Sequence, residues 1–296
     1  MCDFYHATSS CSFNIFDNRL DLFINYSQTL LKFTPICNGM RLFRIPFFIN
    51  IFCFNLLILI AIDTLNYFKL QKMQLTQSIL DFLSTLAQNN HREWFTLNKP
   101  VFQKELAHFK LFSDELYLKM ESFDLLEGKS VFRIYRDVRF SKDKLPYKTH
   151  FSVGITRATK WKRGGYYLHI QPGESFIGGG FWDPEPADVK RIRQELAVDS
   201  STINKITQVP DFKKLFGELQ GEKLKTAPQS YSKDHENIEW LKFKQYLLIR
   251  KFSDEEVLSK QFMEEAVYTF SQMLPFFDYF SDILTTDENG TPLPGY

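Results

Sequence analysis

Cysteine is confined to one end of this chain. Of 296 residues only four are cysteine, at Cys2, Cys11, Cys37 and Cys53. No two form a CxxC pair, so the spacing offers no zinc ribbon or redox dithiol, and the thiols read as incidental. Residues 1–72 also contain no glutamate and a single glycine, Gly39, while holding 11 of the 31 phenylalanines. Net charge is missing too: a formal +1 removes any global argument for nucleic acid or an anionic membrane. No GxSxG elbow occurs, and without cysteine after residue 72 the main domain has no thiol nucleophile. The glycines at 178–180 are followed by no Lys-Ser/Thr pair and sit in a strand pattern. They are therefore not a phosphate loop, and close backbone approach or a bulge is expected there.

What the leader does hold is an apolar run, "IPFFINIFCFNLLILIAI", at 45–62. Its 18 residues are near the lower limit for spanning a bilayer, with Pro46, Asn50 and Asn55 as interruptions. It lies too far in for a secretory signal, and Arg41 and Arg44 before it balance Lys69 and Lys72 after it, so no orientation follows. Three readings compete: a start that truly falls at Met73, a membrane anchor, and a buried hairpin, in that order of preference. The expected organisation is a Cys/Phe-rich leader at 1–72 and one α+β domain at 73–296. The expected location is cytoplasmic, or membrane-anchored through 45–62 where that segment is present and inserted.

From Met73 onward the periodicity alternates between helix and strand. Thr76 is placed to cap a helix carrying Ile79, Leu80, Leu83 and Leu86 on one face. Asn89 and Asn90 break it, "REWF" restarts it, and Pro100 suits the first turn of a third helix running to about Met120. Strands are predicted at 131–140, 150–155, 165–171 and 175–181, joined by turns too short for a helical crossover, hence antiparallel. Helices follow Pro184 and Pro186, one more strand lies near 246–251, and a Ser253/Glu256 capping box opens a long C-terminal helix to about Leu284, with Pro275 as a potential break. The class is α+β: a single domain with a central antiparallel sheet flanked by helices.

The stretch "RIYRDVRFSKDKLPY" at 133–147 crowds charge into a strand pattern. Alternation puts Arg136 with Phe132, Ile134, Val138 and Phe140, and Arg133, Tyr135, Asp137 and Arg139 on the other face. An arginine on an apolar face must meet a carboxylate, carbonyls or a ligand anion. From Arg133 to Arg163 there are ten Lys/Arg against two Asp, which suggests one electropositive face. Arg133, Arg136, Asp137, Arg139, Phe140, Asp143, Lys144, Pro146 and Tyr147 fit RxxRDxRF followed by (D/N)KxPY. This pattern resembles the signature of domain of unknown function 2461, an uncharacterised bacterial and fungal family. "NNHREWF", "GYYLHIQPGESFIGGGFW", "LKTAPQSYSKDH" and "LKFKQY" extend the resemblance over 76–284. Two departures stand out. His91 occupies a position where the family tends to carry asparagine, which puts a cap in doubt, and Gln229-Ser230 replaces a usual Lys-Gly pair. The resemblance implies no activity.

The site expected from these residues is a concave basic pocket for an anionic small molecule, built from Arg133, Arg136, Arg139, Lys144 and Lys148. Tyr147 and His150 are weak candidates for hydrogen bonding or proton transfer, and Asp137 for orienting the arginines. No cofactor or metal is implied: His150, His169 and His235 are scattered singly, and His169, alternating with Tyr167, reads as a structural histidine. The alternatives are a non-enzymatic module using the basic face for nucleic acid (the less favoured partner) or protein, and a motif that is purely structural. Whether the domain is an enzyme stays open.

Overall fold

We describe the chain from a computed structural model over residues 74–139, 141–287 and 289–295. The leader with its apolar segment 45–62, and Phe140, lie outside the described residues. Among those described, no helix is long and apolar enough to cross a membrane.

Helix α1 (Gln77–Gln88) buries the expected Ile79, Leu80, Leu83 and Leu86, with Phe82 beside them. Thr76 precedes it in extended backbone but makes no cap; its hydroxyl meets Ser78 Oγ instead, at 2.9 Å. Helix α2 (Arg92–Leu97) is capped by His91, whose Nδ1 accepts from the Trp94 amide at 3.4 Å. The imidazole thus takes over the capping role that the departure from asparagine put in question. Helix α3 (Lys99–Met120) has Pro100 in its first turn, where no intrahelical N–H is needed, and buries Phe102, Phe109, Phe112 and Leu116.

Five strands follow: β1 (Leu126–Val131), β2 (Phe151–Arg157), β3 (Gly165–Ile170), β4 (Ser175–Phe181) and β5 (Tyr246–Phe252). They form one antiparallel sheet in chain order. The first strand corrects the sequence reading. It is "LEGKSV", not the charged stretch 131–140, which leaves the sheet after Val131 pairs with Val153. The Phe132 amide makes the last ladder bond, to Ser152 O at 2.9 Å. Beyond it Ile134 to Arg136 pair with Pro146 to Lys148 in a small side hairpin, through the Tyr135–Tyr147 bridge. Strand periodicity in this stretch therefore serves a single bridge, and the Asp137 carboxylate, accepting from the Arg139 amide at 3.2 Å, turns the chain away.

Between β4 and β5 lie α4 (Pro186–Val198), α5 (Ser201–Gln208), α6 (Pro210–Phe216) and α7 (Ile238–Leu241). The C-terminal helical run starts at the expected Ser253/Glu256 capping box and reaches Thr285 in three segments: α8 (Asp254–Val257), α9 (Phe262–Ser271) and α10 (Leu274–Thr285). Pro275 falls in the first turn of α10, so it begins a helix rather than kinking one.

One face of the sheet is fully covered by helices. Phe151, Val153 and Ile155 on β2, Tyr166, Leu168 and Ile170 on β3 and Ile177 on β4 are all buried there. Phe109 of α3 packs on Phe151 at 5.5 Å, and Phe270 and Phe277 meet Tyr166 edge-on at 5.2 and 4.9 Å. Arg157 sits on this same face, 1 % exposed. Its Nε donates to Asp124 Oδ2 at 2.6 Å and its Nη2 to Asp278 Oδ1 at 2.5 Å, while Nη1 reaches the Arg163 carbonyl at 3.0 Å. The Tyr166 hydroxyl donates to Asp124 Oδ2 at 2.7 Å. Burial alone would push Asp124 up; the bonds from Arg157 and Tyr166 outweigh it and hold the carboxyl below its ordinary value.

Candidate ligand groove on the second face of the sheet

The other face is built differently, because two of its central positions are glycine. Gly154 on β2 and Gly178 on β4 stand directly across from Tyr167 on β3. A Cβ on Gly154 would come within 3.3 Å of the Phe132 ring, and one on Gly178 within 3.1 Å of the Trp182 ring. Those two rings therefore lie down over the glycines and flank Tyr167, each meeting it edge-on, at 5.9 and 5.6 Å. Phe176 closes the floor 5.7 Å from Tyr167 and stacks on His169 at 4.7 Å. The result is an open groove of about 710 Å³ whose lining includes these aromatic residues, Lys148 and His169.

Its rim is positive. Lys148 Nζ sits 5.3 Å over the Phe132 ring. Burial, then the nearby Arg133 charge, lowers the ammonium's pKa. His150 lies behind, its ring 4.0 Å from that of His169. Burial, then His169, Lys148 and Arg136, push His150 down to about 3, so it is a neutral imidazole at pH 7. Ser152 stands across from His169 in the β2–β3 register, 1 % exposed. Its hydroxyl faces that of Tyr167 and lowers the phenol's pKa, and among the described residues it meets no other partner.

The sequence-predicted residues divide. Lys148 lines the groove, and Arg133, Arg136 and His150 are close enough to act on it or on its neighbours electrostatically. Arg136 finds its carboxylate within the motif: Nη1 meets Asp143 Oδ2 at 2.5 Å, and this pair holds Asp143 below the usual range. Asp137 holds Arg139 through Nε at 2.9 Å and Nη2 at 2.6 Å, and the Arg133 charge also acts on its carboxylate. Lys144 donates to the Val138 carbonyl at 2.9 Å, bracing the side hairpin. Tyr147 is core, stacked on Phe95 at 4.0 Å. Asn90 grips the Tyr147 backbone from both sides, donating to its carbonyl at 2.9 Å and accepting from its amide at 3.1 Å.

The single electropositive face expected from charge counting is also corrected. Arg157 and Lys162 are on the helix-covered side with Asp124 and Asp278, and Arg163 pairs with Asp188 at 2.5 Å. Acids distant in sequence neutralise these cations, which a local count cannot see. The sequence reading did not bring Tyr167, Phe132 and Trp182 together, and it took His169 as a hydrogen-bonded structural histidine, which its contacts with Tyr167 and Gln171 fit. Alternation of Tyr167 and His169 along β3 was the available signal. Among the described residues no group of three or more His, Cys, Asp or Glu could hold a metal ion.

A family model described as a conserved hypothetical protein, DUF2461, matches residues 78–279. The chain belongs to the DUF2461 family. The matched span of the DUF2461 domain takes in all five strands, the side hairpin and every residue that lines the groove. No curated protein matches the chain. The second departure from the family pattern has a backbone consequence: Ser230, where glycine is usual, takes φ of 75°. That is the left-handed region, open to glycine at no steric cost.

Proposed function

We propose that this DUF2461 domain binds a small anionic ligand with a flat apolar body in the groove of the second sheet face. The observation that carries the reading is the placement of Lys148 beside an aromatic floor whose Phe132 and Trp182 rings pack over Gly154 and Gly178. An apolar body gains by covering Tyr167, Trp182 and Phe132, about 25 cal/mol for each Å² removed from water. Shape alone would also admit a quaternary ammonium, since three aromatic walls suit a cation. Electrostatics decides against it. Lys148, Arg133 and Arg136 repel a cation, and the charges of Lys148 and Arg136 help keep His150 deprotonated.

Fluorescence titration of the full chain with 1-naphthyl phosphate, 1-naphthol and 1-naphthylmethylammonium tests this. The phosphate is expected to bind saturably and tightest. Lys148→Met should weaken it about ten-fold, the size of one charged hydrogen bond, and leave 1-naphthol unchanged. Trp182→Ala should weaken both. Tightest binding of the ammonium probe, or no saturable binding at all, overturns the reading. Preferential capture of single-stranded oligonucleotides, weakening steeply with salt, would support the interaction-module alternative instead.

A further inference from the structure

Three hydrogen bonds run in series along one face of β3 and the turn after it. Glu174 Oε2 accepts from Gln171 Nε2 at 2.7 Å, which leaves Gln171 Oε1 facing His169 Nε2 at 3.0 Å. An amide oxygen only accepts, so His169 Nε2 carries the proton. Burial lowers the His169 pKa against the opposing Gln171 bond, so the ring is neutral at pH 7 and Nδ1 offers a lone pair. The Tyr167 hydroxyl, 3.3 Å from Nδ1, therefore donates to it. The four groups form one ordered chain, and its terminal atom, the Tyr167 oxygen, belongs to a residue that lines the groove.

A hydroxyl whose proton points at a positioned imidazole lone pair is the arrangement that activates oxygen nucleophiles. Burial pushes the Tyr167 phenol up, and the Ser152 hydroxyl beside it pulls the other way, so the imidazole lone pair is what the step depends on. Ser152, buried beneath the groove, faces the same hydroxyl. Lys148 on the rim would hold an anionic group of the same ligand.

We propose that Tyr167 is the reactive hydroxyl of the groove, with His169 as its base, acting on an anionic ligand that carries an ester. In the first step the Tyr167 oxygen bonds to the ester carbonyl carbon and its proton passes to His169 Nδ1. The ester C–O bond then breaks, and the leaving oxygen takes the proton from Nδ1. Water cleaves the resulting tyrosine ester, releasing the acid and restoring the phenol. Gln171 accepts from Nε2–H throughout and keeps the ring in the tautomer the step needs. This inference rests on the binding reading above.

The test uses 4-(fluorosulfonyl)benzoate, an aromatic anion whose S–F bond is replaced by an S–O bond to an activated tyrosine, releasing fluoride. Peptide mass spectrometry of the full chain is expected to find the adduct on Tyr167, with a rate that saturates and with protection by 1-naphthyl phosphate. Tyr167→Phe should remove it. His169→Gln should slow labelling at saturating probe at least ~100-fold, the lower range of general-base catalysis, a readout that a change in probe affinity does not move. A chain that merely holds the sheet face predicts equal labelling in His169→Gln, and that result, or an adduct confined to Lys148, overturns the inference. Binding of 1-naphthyl phosphate without Tyr167 labelling sinks only the reactive hydroxyl. Loss of both sinks the binding reading as well.

Discussion

Two arginines, Arg136 and Arg157, show what decides whether a charge on a strand is structural. Arg136 stands in the family motif and alternates with apolar residues, so it looked like the buried cation needing a partner. It lies instead on a side hairpin, partly exposed, paired with Asp143 seven residues on. Arg157 attracted no attention in the sequence, yet it is the cation on a fully covered face, held by Asp124 and Asp278, which lie 33 and 121 residues away. Alternation assigned a face to Arg136, while the strand expected at 150–155 stopped short of Arg157. Whether a helix covers that face is a tertiary property, and coverage sets the cost of leaving the charge unpaired.

The largest expected effect comes from breaking the covered pair. Asp124→Ala removes one carboxylate from Arg157 and the acceptor of the Tyr166 hydroxyl, and should lower the free energy of unfolding in urea by about 3–5 kcal/mol. Asn90→Ala comes next. It strips both backbone partners from Tyr147 and should cost about 2–3 kcal/mol, with the side hairpin losing amide-exchange protection before the sheet does.

A smaller effect separates the two sheet faces by pH. His150 and His169 have folded pKa values depressed below the unfolded value of about 6.5, His150 to about 3. As pH falls below 6.5 the unfolded chain takes up protons first, so stability drops between pH 6.5 and 4.5, before most carboxylates titrate. The groups facing His150 are His169, Lys148 and Arg136, all of which oppose its protonation. His150→Gln should therefore flatten the urea midpoint over that window, and an unchanged slope would place the proton uptake elsewhere.

Ser230→Gly should raise stability by about 1 kcal/mol, since glycine takes the observed positive φ without strain. The smallest change is expected for Arg136→Met: its carboxylate partner is half exposed, and the urea midpoint should stay close to wild type. A large loss there would erase the contrast with Arg157.

Most of the helices and four of the five strands were legible because their apolar periodicity is local, as with Ile79, Leu80 and Leu83 on α1 or Tyr166, Leu168 and Ile170 on β3; α6 was not foreseen, and the expected single C-terminal helix is three. β1 was not legible either. "LEGKSV" carries Gly, Lys and Ser and becomes a strand because β2 offers its edge. The site was legible only in part. Lys148 and His150 were named from the basic hairpin that follows the motif. The groove depends on Gly154 and Gly178 falling beside Tyr167, a matter of register between three strands.

By itself the sequence determined the family, the α+β class and the elements whose periodicity lies within a dozen residues. The tertiary structure decided which face each charge meets. It sent Arg157 to Asp124, drew the "RIYRDVRF" stretch out of the sheet, and set Tyr167, His169 and Lys148 around one groove. The reason is physical. Local periodicity orients a side chain relative to its own backbone, but pairing and burial depend on chain segments that folding brings together from far apart.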